Sequence, residues 1–440
     1  MKNERSLRGG LVLCGFAAGL AAAGSGCSSN SAVPPTGTGG AGAAGGSTAT
    51  GGAAGGSTAT GGAAATGGAG TGGAPVAACP AAWTGSPTRP QLTDASADCF
   101  TIERYLAEAG MVGALTKDNW NPTAGLPAAS TLTPTFTVAA DGRGTHMTVQ
   151  AAVAAAKAAG GTARAYILVK PGTYRELVCV DGTAPITLYG AGADRAEVTI
   201  TYDNYNSKPV ALLNGVADPA MANACALPSA ATYGTSGSTT FFVKSNGFQA
   251  MNLTIANDFA EGTAVSGLQA VALTTQGDQM VFQNVRVAGN QDTLQVKSAS
   301  YLLVTRAYFK DSFIEGDTDF IFGRGTAVFD GCTITYVAGR KTDSTHISPS
   351  TEAPNPYGFL IINSKIMGGA GITGTAALGR SWDDSSGMAP NGQAVIRETE
   401  ISNHIRLAAP WVAAATSSRA FDVARNRLYE YKNTGSGAAP

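Results

Sequence analysis

One short unit recurs six times between residues 250 and 401, and it constrains the fold more than any other feature of the chain. Each copy has an apolar residue, then Asn, Asp, Gly or Glu, then an aliphatic residue three positions further on. The copies are AMNLTI at Asn252, FQNVRV at Asn284, FKDSFI at Asp311, FDGCTI at Gly331, IINSKI at Asn363 and IRETEI at Glu398, with gaps of 32, 27, 20, 32 and 35 residues. A period of about 20 residues, lengthened by loops, is typical of a parallel β-helix, whose coils bury their inward faces only by stacking. A β-sandwich with irregular loops is the alternative, which would explain short strands but not the repeated unit.

A helical pattern precedes these repeats. The stretch THMTVQAAVAAAKAAGG predicts a helix that is capped by Thr145 or Thr148 and ends at Gly160. We expect this helix to be the first ordered element. It leads into ARAYILVKPGTYRE, which predicts a strand followed by a Pro-Gly turn.

The first 27 residues have the features of an export signal. A basic start, MKNERSLRGG, is followed by an apolar stretch that is too short to span a membrane. The small residues before Cys27 resemble a bacterial lipobox, which would make Cys27 the lipidated first residue of the mature protein. Gly24 stands where an aliphatic residue is usual, and a plain signal peptide with an incidental cysteine is the alternative.

Residues 28–77 consist almost entirely of Gly, Ala, Ser and Thr, and GGSTATGGAAGGSTATGGAA repeats a ten-residue unit. Such a composition buries too little apolar surface to order itself, so we expect a flexible tether with a root-mean-square reach of about 40 Å. Residues 78–440 remain for the folded domain.

Composition limits the partners of the chain. With a formal net charge of −1 and 13% charged residues, nothing indicates a nucleic-acid partner. No stretch of 18 or more apolar residues follows the export signal, so we expect contact with a membrane only through the lipid anchor.

Five cysteines lie in the predicted domain, and export permits disulfides. Cys79–Cys99 and Cys179–Cys225 are plausible pairs, which leaves Cys332 over. No CxxC motif or Cys/His cluster indicates a metal site.

Two aspartates stand among apolar strand residues and glycines. Gln269, Asp292 and Asp319 are separated by 23 and 27 residues, so stacked coils would place them in one column about 4.8 Å apart, with Gln291 beside Asp292. Two carboxylates at that distance do not both ionise readily, which favours one acid and one base or nucleophile for hydrolysis. The chain has three histidines and no GxSxG motif, so a Ser-His-Asp mechanism has little support. The alternative is that both aspartates only cap β-helix turns.

Six motifs in this chain resemble, in order, those of the pectin methylesterases (pectinesterases). They are PGTYRE at 171–176, LQAVAL at 268–273, GNQDTL at 289–294, GDTDFIFG at 316–323, LGRSW at 378–382 and RLYEYKNTGSGA at 427–438. The resemblance implies a right-handed parallel β-helix with a short N-terminal helix and long loops around the cleft. It also implies hydrolysis of methyl esters on galacturonate units of pectin or methylated oligogalacturonides, without a cofactor.

The resemblance assigns a role to each matching catalytic position. Asp319 matches the nucleophile, and Asp292 matches the group that protonates departing methanol and then activates water. Gln291 and Gln269 match the donors that stabilise the oxyanion. Arg380 matches the arginine that holds the nucleophile ionised.

Other positions match substrate contacts or structural residues. Trp382 and Phe322 match aromatic residues at the sugar and the methyl ester, and Thr235 falls near a substrate-contacting threonine of the family. Tyr174 and Glu176, in PGTYRE, are expected to be structural.

The chain also departs from the family pattern. Asn290 stands where many relatives have an aromatic residue, and Ser381 stands where proline is common. Together with the lipobox-like start, these two residues resemble the pattern of an outer-membrane lipoprotein branch of the family. Ser312 replaces a cysteine that would pair with Cys332, so the resemblance implies that Cys332 is a buried free thiol. The 27-residue gap between the aspartates implies a longer loop in KSASYLLVTRA, beside the cleft.

Three other functions are weighed against this one. A β-helix pectate lyase would need a Ca²⁺ site with several clustered acids, and GDTD offers only two. A polygalacturonase would leave both glutamines and Arg380 without roles. A re-purposed or inactive member that binds polysaccharide or hydrolyses another ester remains as the alternative. We expect a monomer that is exported to the cell surface or outer membrane, or else secreted.

Overall fold

The computed structural model describes residues 81–440 except residues 213, 227–230, 263–265 and 385–389. The predicted export signal with its lipidation site Cys27, the predicted tether and Cys79 lie outside the described residues. Predictions about them therefore stay predictions.

Short strands dominate the described chain, and its helices are short. The helices are α1 (Asp94–Ala97), α2 (Ile102–Leu106), α3 (Val149–Ala159) and α4 (Gly234–Gly237), with 3₁₀ turns at Ala129–Thr131 and Pro219–Asn223. The strands are β1 (Trp83–Ser86), β2 (Arg89–Leu92), β3 (Glu108–Met111), β4 (Thr116–Lys117), β5 (Phe136–Val138), β6 (Ala165–Val169), β7 (Gly172–Arg175), β8 (Val178–Val180), β9 (Ile186–Gly190), β10 (Val198–Tyr202), β11 (Phe241–Val243), β12 (Gln249–Asn257), β13 (Leu273–Thr275), β14 (Met280–Ala288), β15 (Leu294–Val296), β16 (Leu303–Val304), β17 (Arg306–Lys310), β18 (Phe313–Gly316), β19 (Ile321–Gly323), β20 (Thr326–Asp330), β21 (Thr333–Tyr336), β22 (Thr345–Pro349), β23 (Phe359–Ile362), β24 (Lys365–Gly368), β25 (Ala377–Arg380), β26 (Gln393–Arg397), β27 (Glu400–Ile401), β28 (Trp411–Val412) and β29 (Arg427–Tyr431). No helix in the described ranges combines the length and apolarity needed to cross a membrane.

The strands stack in three parallel ladders, one for each face of a β-helix. The first ladder runs β5-β6-β9-β12-β14-β17-β20-β23-β26-β29. The second runs β7-β10-β12-β14-β18-β21-β24-β27, and β12 and β14 belong to both because they are long enough to turn the corner. The third runs β8-β11-β13-β15-β19-β22-β25-β28. The predicted parallel β-helix is confirmed, and the β-sandwich alternative is wrong.

The recurring unit of the sequence marks one corner of the coil. All six of its Asn, Asp, Gly or Glu residues have φ between 49° and 65°, where the chain turns from the first ladder into the second. Asn and Asp are the non-glycine residues that adopt this left-handed conformation most readily. Asn252 and Asn284 stack on adjacent coils, and their side chains also form a hydrogen bond, in which Asn284 Nδ2 donates to Asn252 Oδ1 at 2.8 Å.

The aliphatic residue of each unit points into the core. Its six representatives, Ile255, Val287, Ile314, Ile334, Ile366 and Ile401, are all buried. Beside them, Phe282, Phe309 and Phe329 from successive coils stack with ring centroids 4.7 and 4.9 Å apart. The repeated unit thus contains both the residue at the turn and the aliphatic residue that the turn directs inward.

The predicted helix is α3, and Thr148 is its cap. The Thr148 hydroxyl accepts a hydrogen bond from the Ala151 N–H at 3.2 Å, and Gly160 ends the helix at φ 62°. Glu176 accepts the N–H groups of Val149 and Gln150, both at 2.8 Å, so its role is structural as expected. The Tyr174 hydroxyl likewise donates to the backbone at Lys170.

This helix is not the first ordered element, which corrects the sequence-based prediction. Strands β1 to β5 and helices α1 and α2 precede it. They are too short to show a hydrophobic period, so their order depends on packing. Their apolar side chains, including Phe100 and Leu106, cover Tyr308, Val328 and Leu360 on the outer face of the first ladder.

The predicted disulfide and the predicted free thiol are confirmed for the cysteines that lie in the described residues. Cys179 and Cys225 form a disulfide, and Cys332 is a buried free thiol. Ser312 lies beside Cys332 on the adjacent coil, where its hydroxyl donates to the Phe282 carbonyl at 3.2 Å. The Cys79–Cys99 pair includes a residue outside the described range.

Candidate active site

Asp292 and Asp319 lie at equivalent corners of adjacent coils. Each stands two residues before a strand of the third ladder, and the register of β15 with β19 pairs Leu294 with Ile321. Both aspartates have positive φ, 63° and 45°, so they turn the chain from the second ladder into the third. The predicted column is confirmed for this pair, whose backbones are about one strand spacing, 4.8 Å, apart. Capping a turn and presenting a carboxylate are therefore compatible roles.

Gln269 does not continue this column. Leu273 pairs with Leu294, so Val271 lies opposite Asp292 and Gln269 is two residues out of register. The long connection between β12 and β13 sets this offset. Gln269 is nevertheless buried near the corner, and its carbonyl accepts the Asn206 N–H at 2.8 Å.

Asp319 accepts hydrogen bonds on both carboxylate oxygens. Arg380 reaches it from β25 with Nη2 2.7 Å from Oδ2 and Nε 3.1 Å from Oδ1. The Thr345 hydroxyl donates to Oδ1, and the Asp319 N–H donates to the Thr345 carbonyl at 2.8 Å. A bidentate arginine is the strongest partner for a carboxylate anion. The sequence predicted Arg380 here but not Thr345, which lies in no recognised motif.

Asp292 has a different environment. The residue is only 7% exposed, and burial raises its pKa well above the ordinary value. The negative charges of Asp319 and Glu261 raise this pKa further, against a smaller opposing effect of Arg380 and Arg340. Asp292 therefore holds a proton where an ordinary aspartate has lost it.

A buried network of three charged residues supports this corner. Glu261 Oε1 accepts the Gln291 N–H at 2.9 Å, and Arg340 Nη2 lies 2.9 Å from Glu261 Oε2. Arg340 Nε also donates to Asp317 Oδ2 at 2.8 Å, while the Asp317 N–H donates to the Asn290 carbonyl at 3.0 Å. Burial raises the pKa of Glu261 to about 8. No sequence pattern predicted this network, although Asp317 stands in the GDTD motif.

The predicted substrate contacts fall in two groups around the aspartates. Phe322 on β19 is three residues after Asp319. Its ring centroid is 5.8 Å from that of Trp382, which is half-buried and lies two residues after the end of β25. Thr235 lies in α4, where its hydroxyl accepts Asn206 Nδ2 at 2.7 Å. Because Asn206 also donates to Gln269, Thr235 and Gln269 lie on one short path of hydrogen bonds.

No three His, Cys, Asp or Glu side chains converge as a metal site within the described ranges. The chemistry that these side chains can supply is that of one arginine-bound carboxylate beside one buried, protonated carboxyl group. Such a pair suits nucleophilic attack with general acid assistance.

Comparisons with known proteins agree with this geometry. The family model described as Pectinesterase matches residues 135–217 and 221–440. The chain is 46% identical over 382 residues to a pectinesterase of Ralstonia solanacearum, covering 82% of this chain and 94% of that one. It is similar to the solved structure of rice weevil pectin methyl esterase, with 34% identity, a TM-score of 0.70 and coverage of 82% of this chain and 100% of that chain. A pectin methylesterase crystallised with a hexasaccharide is 27% identical, with a TM-score of 0.56 and coverage of 70% of this chain and 91% of that chain.

Proposed function

The chain belongs to the pectinesterase family, and we propose that it hydrolyses the methyl esters of galacturonate units in pectin, releasing methanol and free carboxylate. The observation that carries this proposal is the arginine-bound Asp319 one coil away from the buried Asp292. One is suited to attack a carbonyl carbon and the other to donate a proton. The comparisons do not favour a re-purposed family member.

In the first half of the reaction, an Asp319 oxygen bonds to the ester carbonyl carbon. The carbon–methoxy bond then breaks, and the Asp292 proton passes to the methoxy oxygen, so that methanol leaves. The substrate acyl group is now joined to Asp319 as an anhydride. Arg380 stabilises Asp319 as a nucleophile by holding its carboxylate in one orientation.

In the second half, Asp292 acts as a base. It takes a proton from water, and the water oxygen bonds to the acyl carbon. The bond to Asp319 breaks, which restores its carboxylate and releases the galacturonate carboxylic acid, which ionises in solution. Asp292 is protonated again, so the cycle closes without a cofactor.

Amide and aromatic side chains complete the proposed site. Gln291 and Gln269 stabilise the oxyanion that forms in each half of the reaction. Phe322 and Trp382 pack against the sugar and the methyl group, and Thr235 contacts the substrate. The family resemblance and the positions of these residues around Asp319 support these roles.

We also propose where the enzyme works. Residues 1–27 direct export, Cys27 carries a lipid that anchors the protein at the outer membrane, and residues 28–77 tether the domain of residues 78–440. The domain acts as a monomer, and a secreted form is the alternative. Palmitate labelling that persists in Cys27→Ser would contradict the anchor.

Methanol release from highly methylated pectin tests the reaction. The full chain should release methanol, whereas Asp319→Ala and Asp292→Ala should each lose roughly 10³-fold or more of the rate, because each lacks a reacting group. Circular dichroism of all three proteins checks that the β-helix is intact. A folded wild type that releases no methanol, or a fully active Asp319→Ala, would sink the proposal.

A further inference from the structure

An aromatic pair lies outside the hydrophobic core, near the corner that carries the two aspartates. Tyr205 and Phe259 stack with their ring centroids 4.0 Å apart and an angle of 11° between the ring planes. Both side chains are partly exposed, and neither belongs to a hydrophobic cluster of the described residues. The Tyr205 hydroxyl forms no hydrogen bond with another described residue. Packing of the core therefore does not explain why two aromatic rings lie here.

The pair lies at the same corner of the coil as the aspartates. Tyr205 follows β10 and Phe259 follows β12, and these two strands pair in the second ladder. The strand β14, which leads to Asp292, pairs with β12 on the next coil, and β18, which leads to Asp319, pairs with β14. Phe259 and Tyr205 are therefore roughly 10 and 14 Å from the coil of Asp319 along the axis of the β-helix. Because Phe322 is on the coil of Asp319, aromatic rings lie on both sides of Asp292 along this axis.

Hydrogen bonds join the neighbours of this pair to the two glutamines of the site. The N–H of the residue that follows Tyr205 donates to the Gln269 carbonyl at 2.8 Å. Two residues after Phe259, Glu261 Oε1 accepts the Gln291 N–H at 2.9 Å. The rings are thus held beside the proposed oxyanion donors, where the sugar chain that carries the reacting ester can reach them.

The carboxylates next to the rings are paired with cations. Asp203 precedes the tyrosine by two positions, and Asp258 directly precedes the phenylalanine. Arg175 lies 2.9 Å from Asp203 and 2.8 Å from Asp258, and Lys208 Nζ lies 3.1 Å from Asp203. An acidic polymer that approaches the rings therefore meets no unpaired negative charge from these two residues.

We propose that Tyr205 and Phe259 form a platform on which a sugar ring of the pectin chain stacks, a few units away from the ester at Asp319. This inference rests on the proposed function, and it adds a preference for long chains. The C–H groups on one face of a pyranose ring are apolar and weakly positive, which suits the negative face of an aromatic ring. A substrate that is too short to reach the platform gains nothing from it.

The experiment measures kcat and KM for methanol release from fully methylated oligogalacturonides of increasing length and from highly methylated pectin. For the wild type, KM should fall once the chain is long enough to reach the rings. Phe259→Leu and Tyr205→Leu should each raise KM for the long substrates by roughly fivefold with kcat unchanged, because each loses a stacking contact. Both variants should match the wild type on the shortest substrate that it hydrolyses. Tyr205→Phe keeps the ring and should retain the wild-type KM for pectin.

Tyr166→Leu is the matched control, because this partly exposed tyrosine lies on β6 in the first ladder. It should leave KM unchanged at every length, and circular dichroism checks that all variants fold. If the two leucine variants raise KM by the same factor for short and long substrates, the rings only brace the loops that hold the glutamines, and the platform is refuted. Unchanged KM in these variants, or a wild-type KM that does not depend on length, refutes it as well. In each case methanol release still supports the proposed function, which fails only if the wild type releases none.

Discussion

Asp292 and Asp319 are the same residue type at equivalent corners, and their neighbours give them different tasks. Asp319 is bound by Arg380 and by the Thr345 hydroxyl. Asp292 is buried, and its pKa is raised by that burial and by nearby carboxylates. Placing two carboxyl groups in such different surroundings is a general route to an acid and a nucleophile in one site.

Glu261 should influence the pH dependence of the reaction through Asp292. Asp292 donates its proton only while it is protonated, so kcat/KM falls as pH rises through its pKa. Above about pH 8, where Glu261 is ionised, the charge of Glu261 helps to raise that pKa. Glu261→Gln removes the charge but keeps an acceptor for the Gln291 N–H. We therefore expect the alkaline decline of kcat/KM to move to lower pH.

The measurement is the pH profile of methanol release, corrected for base-catalysed de-esterification. Glu400→Gln is the control, because Glu400 is half exposed on β27 and pairs with Lys365. An alkaline decline that stays in place, or moves upward, in Glu261→Gln would show that Glu261 only supports the backbone of Gln291.

Among the elements, the corners determine how the coils stack. Six residues of the repeated unit have the left-handed conformation, and the exposed Asn363 is one of them, with φ 52°. Its Nδ2 donates to Asp330 Oδ1 at 3.0 Å across the coils. The conformation, rather than this exposed hydrogen bond, is expected to dominate the contribution of the residue to stability.

Replacing Asn363 by valine and by glycine separates the two effects. Both variants lose the side-chain hydrogen bond, but only valine meets a steric penalty at positive φ. We expect Asn363→Val to lower the free energy of unfolding by roughly 1–2 kcal/mol more than Asn363→Gly does. Urea unfolding followed by circular dichroism measures the difference, and equal stabilities would refute the role assigned to the corner.

For the molecule as a whole, the core contains an unusual polar pair. His346 Nε2 and His404 Nε2 are 2.9 Å apart. The outer nitrogens contact the Ala377 carbonyl and the Ser402 hydroxyl, both at 2.8 Å. These partners are all satisfied if Ser402 donates to His404, His404 to His346, and His346 to the carbonyl, so both imidazoles are neutral.

This pair should make the stability of the β-helix depend on pH. Burial lowers the pKa of both histidines, and His404 lowers that of His346 further. Below about pH 6.5 the unfolded histidines bind protons that the folded pair does not, so stability is lost as pH falls, by up to roughly 2 kcal/mol per histidine near pH 5.

Urea unfolding at about pH 7 and about pH 5 tests this. Raised carboxyl pKa values act in the opposite direction, because they favour the folded state in acid. They are common to the wild type and to the double variant His346→Leu/His404→Leu, so they cancel in the comparison. The double variant should lose less stability between the two pH values, and an equal or larger loss would contradict the prediction.

Local chemistry determined much of this protein from the sequence alone. The left-handed corners at residues such as Asn252 and Asn363 and the Thr148 cap each depend on residues near in the chain or on a repeat that the chain itself displays. The burial of Cys332 was instead implied by the family resemblance. The spacing of Asp292 and Asp319 placed them on adjacent coils because both strands belong to the same repeat. Their catalytic roles came from the family resemblance and remain proposals.

Tertiary structure decided the contacts between segments that no short pattern connects. The length of the connection before Gln269 displaced it from the aspartate column, and Thr345 reached Asp319 only because the next coil stacks there. Arg340 joins Glu261 to Asp317 for the same reason. Register in a β-helix depends on every loop between coils and not on the strand sequences alone.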